Sequence, residues 1–150
     1  MERFFTQLTA FASHLLVLTV VYEVFARYVF GKSNAGISDT EVYAFSVLIL
    51  FGAYVALQKN GHVNIDLVYG KMTEKNRKII NVFAIVFFLI PFCLTALYTS
   101  FDFMLVSFAL NEKSTDPGGF EFRFLLKSII PAAFLLMIIG ALLKLIRALK

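Results

Sequence analysis

The chain has 150 residues, 59% hydrophobic and 16% charged, with a formal net charge of +4. Soluble domains are about 45–50% apolar with about a quarter of their residues charged, so this composition excludes an ordinary water-soluble enzyme and fits one domain in a membrane. The single cysteine, Cys93, excludes an internal disulfide and a paired-thiol oxidoreductase, and the basic residues fall in short clusters between apolar runs, a pattern of membrane loops rather than of a nucleic-acid surface.

A membrane-spanning helix needs about 20 apolar residues. The first such run covers 8–30 and contains Glu23 and Arg27. It is longer than a signal-peptide core and no small-x-small site closes it, so it reads as a retained helix. Gly31 and Ser33-Asn34-Ala35-Gly36 then supply turn chemistry. The second run, 42–57, carries no charge. Ser38-Asp39-Thr40-Glu41 stands just before it as a capping box, which predicts a helix start there.

Between 62 and 78, apolar residues at mixed strand and helix spacing are interleaved with Lys71, Lys75, Arg77 and Lys78. This predicts an amphipathic segment at the membrane interface near anionic phospholipid headgroups, with a solvated loop as the alternative. The third run, 79–101, extends toward 110, and Pro91 inside it predicts a bend. A polar break from Asn111 to Gly119 precedes the fourth run, 122–143, which holds Pro131. The expected fold is an all-α membrane protein: four transmembrane helices and an interfacial segment between the second and third, in one domain spanning 1–150.

Four spans put both termini and the middle loop on one side. That side holds Arg3, Lys59, Lys71, Lys75, Arg77, Lys78, Lys144, Arg147 and Lys150; the other holds Lys32, Lys113, Arg123 and Lys127. Basic loops stay in the cytoplasm, so both termini are expected inside and the loops 31–41 and 111–121 outside.

Few charges fall inside the runs. Glu23 and Arg27, spaced i, i+4, can pair on one helix face. An ion pair holding the helix end and a proton- or substrate-handling carboxylate at Glu23 are both open, and Asp39 and Glu41 are further candidate partners for Arg27. Asp102 reads as a headgroup-level or partner-facing carboxylate. His14 lacks a second intramembrane histidine with which to hold a haem. The sequence has no phosphate-cradling glycine loop, no metal-ligand cluster and no nucleophile with a base, so neither catalysis nor a cofactor is expected.

Several motifs in order resemble the small membrane subunit of tripartite ATP-independent periplasmic (TRAP) transporters. They are Glu23-Val24-Phe25-Ala26-Arg27-Tyr28-Val29-Phe30-Gly31, Ser38-Asp39-Thr40-Glu41-Val42, Gly52-Ala53-Tyr54-Val55-Ala56-Leu57 and Gly61-His62-Val63-Asn64-Ile65-Asp66. The second half adds Asp116-Pro117-Gly118-Gly119 and Lys127-Ser128-Ile129-Ile130-Pro131. Where the family has Trp and two acids entering the second helix, this chain has Ser38 near the Trp position and Thr40 in place of one acid, so only Glu41 carries over.

The resemblance implies a bacterial inner-membrane scaffold subunit for a large multi-helix subunit. That subunit moves an organic acid delivered by a periplasmic binding protein, and the sodium that drives it is used by the large subunit rather than bound here. Glu23, Arg27, Asp39, Glu41, His62, Asp66, Asp102 and Lys127 are then structural or interface candidates. Two other classes compete: a self-sufficient proton-coupled multidrug exporter, suggested by Glu23 in the first helix, and a haem-free membrane anchor of a respiratory enzyme.

Overall fold

The computed structural model describes residues 2–59 and 73–149, and these are all-helical, with no strand. We label the helices α1 (Glu2–Phe30), α2 (Ala35–Gln58), α3 (Glu74–Ala109) and α4 (Arg123–Leu149). All four are long and apolar enough to cross a membrane.

The first three helices begin earlier than the apolar runs suggest, and α2 shows why. Its N-cap is Asn34, whose side chain accepts from the Gly36 N–H at 2.9 Å. The capping box expected at Ser38 is therefore not used. Ala35, Gly36 and Ile37, just under one turn of α2, precede it, and the connection from α1 shrinks to a few residues turned by Gly31 at φ +62°.

α3 has 36 residues, about 54 Å at ~1.5 Å per residue, well beyond the roughly 30 Å of hydrocarbon. Its first part, from Glu74, includes the end of the segment expected to lie separately in the interface, now continuous with the span. The rest of that segment lies outside the described residues. At Ile85–Leu89 the helix widens into a π turn, closed by the Ile90 N–H donating to the Ile85 carbonyl. The turn sits just ahead of Pro91, whose ring would press on the Phe87 carbonyl in a regular helix, so the proline strain is absorbed by local widening.

Packing runs α1 on α2, α2 on α4 and α4 on α3, an open row rather than a closed bundle. Most residues buried between helices are small, namely Ala12, Ala44, Cys93, Ala133, Ala141 and the hydroxyl residues Thr9, Ser100 and Ser107, with Tyr54, Leu57 and Glu23 the larger exceptions. Large residues such as Leu18, Phe88 and Phe92 point outward. This is the arrangement expected where lipid is the solvent, since lipid gives no reason to hide Leu or Phe and small residues let backbones approach. Gly140 on α4 shows the need directly: a Cβ there would overlap Gln58 Nε2 and come within 3.0 Å of the Tyr54 ring on α2. Ring contacts fix the register, Phe5 on Tyr54 at 5.2 Å between α1 and α2 and Phe92 on Phe134 at 5.9 Å between α3 and α4. The hydroxyls of Thr95 and Thr99 on lipid-exposed turns bond back to carbonyls of their own helix, which keeps them satisfied in hydrocarbon.

Candidate functional site

Polar contacts concentrate at one end of the row, where α1 ends, α2 and α4 begin and α3 passes into its loop. The deepest is built on Glu23. This residue is only 6% exposed and sits about 10 Å inside the end of α1, at ~1.5 Å per residue. Its Oε1 accepts from Arg27 Nη2 at 2.6 Å, from the Ser33 hydroxyl at 3.0 Å and from the Ser38 hydroxyl at 3.1 Å. The i, i+4 spacing makes the Arg27 pair local to α1, whereas Ser33 belongs to the connection and Ser38 to α2. The carboxylate thus ties three successive pieces of chain.

Glu41 lies one turn beyond Ser38 on the same side of α2. With Val20, Glu23, Val24 and Arg27 it lines a cavity of about 150 Å³. Its Oε1 is buried and meets no hydrogen-bond partner among the described residues. Two carboxyl groups therefore face one guanidinium, whose side chain remains 60% exposed.

Asp39 takes no part in this group, contrary to the expectation that it could pair with Arg27. It points from the next face of α2 into the α3–α4 loop, where its carboxylate accepts from the Phe120 N–H at 2.6 Å and the Ser114 hydroxyl at 3.1 Å. The loop is shaped to reach it. Asp116-Pro117-Gly118-Gly119 forms a type II turn, with Gly118 at φ +87° and the Gly119 N–H on the Asp116 carbonyl at 3.0 Å. A Cβ on Gly119 would collide with Asp39 Oδ2 and with Ser114 Oγ. Backbone bonds from Ser114 N–H to Phe120 O and from Arg123 N–H to Glu112 O close the base. Tyr43 on α2 adds a bond from its hydroxyl to the Phe122 carbonyl at 2.8 Å and an edge contact with Phe120.

The third group locks α3 to α4. α3 ends in a Schellman motif: Asn111 adopts φ +46°, its N–H bonds Phe108 O, and the Glu112 N–H bonds Ser107 O. That turn delivers the Glu112 carboxylate to Lys127 Nζ, which also lies 3.9 Å from the Phe103 ring centroid. The Lys127 ammonium holds the Glu112 carboxyl below its ordinary value.

Of the residues singled out in the sequence, the structure thus brings Glu23, Arg27 and Glu41 together and places Asp39 and Lys127 in separate locks. Asp102 is exposed on α3 and joins none of them. His62 and Asp66 lie outside the described residues. Sequence reasoning missed Ser33, Ser114, Gly119, Glu112 and Tyr43. The second glycine of the Pro117-Gly118-Gly119 run was the one available signal, since the turn needs only Gly118. No group of three or more His, Cys, Asp or Glu among the described residues could hold a metal ion. What the three groups do chemically is hold helix ends in register.

A family model described as Tripartite ATP-independent periplasmic transporters, DctQ component, matches residues 16–150. No curated protein matches the chain.

Proposed function

The chain belongs to the DctQ-component family of tripartite ATP-independent periplasmic (TRAP) transporters, and from that premise we propose that it serves as the scaffold subunit of a sodium-driven importer of organic acids. In this reading a large membrane subunit carries the substrate and the sodium, and a periplasmic binding protein delivers the substrate. The chain lies in the bacterial inner membrane with both termini in the cytoplasm. The observation that carries the reading is the family match over nearly the whole chain. The open row of helices supports it, because such a row leaves wide lateral surfaces for a larger membrane partner. So does the use of the charged residues: Glu23, Asp39 and Lys127 are each engaged in contacts that fasten helix ends. With the loop end facing the periplasm, the exposed Asp116-Pro117-Gly118 tip and the Lys113–Glu121 pair at 3.0 Å stand where a binding protein docks. The exporter and respiratory-anchor readings draw no support from the match.

The test is affinity purification of the tagged chain from membranes that also contain the cognate large subunit. A stoichiometric complex is expected. Recovery of the chain alone, in a detergent that keeps it folded, would count against the assignment. Single cysteines at Ser114 and Lys75 test orientation: an impermeant thiol reagent added to intact spheroplasts should label the first and spare the second.

A further inference from the structure

One edge of the row carries a polar atom that neither its own helix nor its neighbour satisfies. α1 packs on α2 through the face that bears Glu23. On the opposite face stand Phe11, His14, Leu18, Val21, Phe25 and Tyr28, all exposed. Their alternating spacing of three and four makes a continuous seam of the kind that packs against a second helix at a crossing near +20°. An apolar seam alone would be equally at home in lipid. His14 separates the two cases.

His14 lies at the middle of the membrane by two routes. It is about 3 Å from the midpoint of α1, at ~1.5 Å per residue. The contacts of Phe5 with Tyr54 and of Glu23 with Ser38 bracket the antiparallel pair, and between them His14 falls level with the centre of α2. Its Nδ1 is 2.6 Å from the Ala10 carbonyl, so Nδ1 carries the hydrogen and donates it. In a neutral imidazole that leaves Nε2 as an acceptor, and it meets no partner among the described residues. Facing hydrocarbon, such an atom loses its hydrogen bonds to water and gains nothing in return. The exposed Thr95, Thr99 and Ser46 hydroxyls, by contrast, are satisfied by carbonyls of their own helices. Asp102 lies about 15 Å from the level of the Phe92–Phe134 contact, at the hydrocarbon edge where headgroups and water reach it.

We propose that the Phe11–Tyr28 seam of α1 is where a transmembrane helix of the large subunit docks, with a hydrogen-bond donor of that helix meeting His14 Nε2 at the bilayer midplane. The proposal rests on the TRAP reading above, and it names the surface on which that reading acts.

The test uses the chain co-expressed with its cognate large subunit, comparing wild type, His14→Leu and His14→Gln. Interhelical hydrogen bonds in membranes translate into roughly a three- to eighteen-fold change in association. His14→Leu should lower the large subunit retained through purification by that factor, while the variant chain alone is at least as stable as wild type. His14→Gln, which keeps an acceptor, should recover part of the retention. If the seam faced lipid, His14→Leu would leave retention unchanged or raise it, and that result would overturn the proposal.

A photoreactive benzophenone side chain at Leu18 identifies the occupant. An adduct with the large subunit is expected; an adduct between two copies of this chain, or with lipid alone, overturns the seam. Adducts with the large subunit from Ile49 or Tyr98 and none from Leu18 would overturn it too, while leaving the TRAP reading standing. A wild-type chain that retains no large subunit would bring down both.

Discussion

Replacing Glu23 separates what is local from what joins helices. The Arg27 pair is an i, i+4 contact within α1, so it persists when α1 is helical but undocked, and its loss contributes little to helix association. The Ser33 and Ser38 bonds exist only when α2 is in place. Hydrogen bonds between membrane helices average about 0.6 kcal/mol each and reach about 1.7, because separated helices in a membrane find other partners. Glu23→Ala therefore should cost about 1–3 kcal/mol, and a cavity beside Val20 adds to that rather than offsetting it. Glu23→Gln keeps the shape and still accepts from the serines, so its cost should be about 1 kcal/mol or less. Ser38→Ala combined with Glu23→Ala should be less damaging than the sum, with a coupling of about 0.6 kcal/mol. Reversible unfolding in bicelles, for example by steric trapping, measures all three. Additive single-variant costs, or a Glu23→Ala cost under about 0.3 kcal/mol, would refute the bridging role.

Asp39→Ala should free the α3–α4 loop: hydrogen exchange at the Phe120 amide should quicken at least about tenfold while amides in the middle of α4 stay protected, as expected for a local opening. Gly140→Leu should separate α2 from α4 and prevent a folded chain from being recovered, whereas Gly52→Leu, whose added Cβ meets nothing within 4 Å, should be tolerated; size-exclusion profiles of the detergent-solubilised variants decide this. Because the folded Glu112 carboxyl titrates below its ordinary value, the Lys127 lock is fully present above the unfolded value of about 4.3. It should fade as pH falls from there through the folded value, and a Glu112→Gln chain should lose less stability than wild type in acid melts over that window.

The four apolar runs were legible because lipid imposes length and composition on each span independently of its neighbours. The positions of the helix starts were not. Ser38 and Glu41 have the spacing of a local cap, but Asn34 caps the helix earlier and the Ser38 hydroxyl is claimed by a buried carboxylate from another helix. A one-dimensional pattern shows the local option and is blind to the remote one. The same limit explains Asp39. Its partners, Ser114 and the Phe120 amide, are brought near only by the turn at Pro117-Gly118 and by the packing of α4 on α2. Arg27 with Glu23 was readable because the pair lies within one helix. Pro91 was readable as a disturbance, but whether a helix answers a proline by bending or by a wide turn depends on its neighbours.

Reconstituted uptake tests the central claim most directly. Proteoliposomes holding the large subunit and this chain, with binding protein and an organic-acid substrate outside, should accumulate substrate down an inward sodium gradient, and leaving out this chain alone should abolish uptake. Full-rate uptake without the chain, or transport by the chain alone, would contradict its assignment as a scaffold subunit.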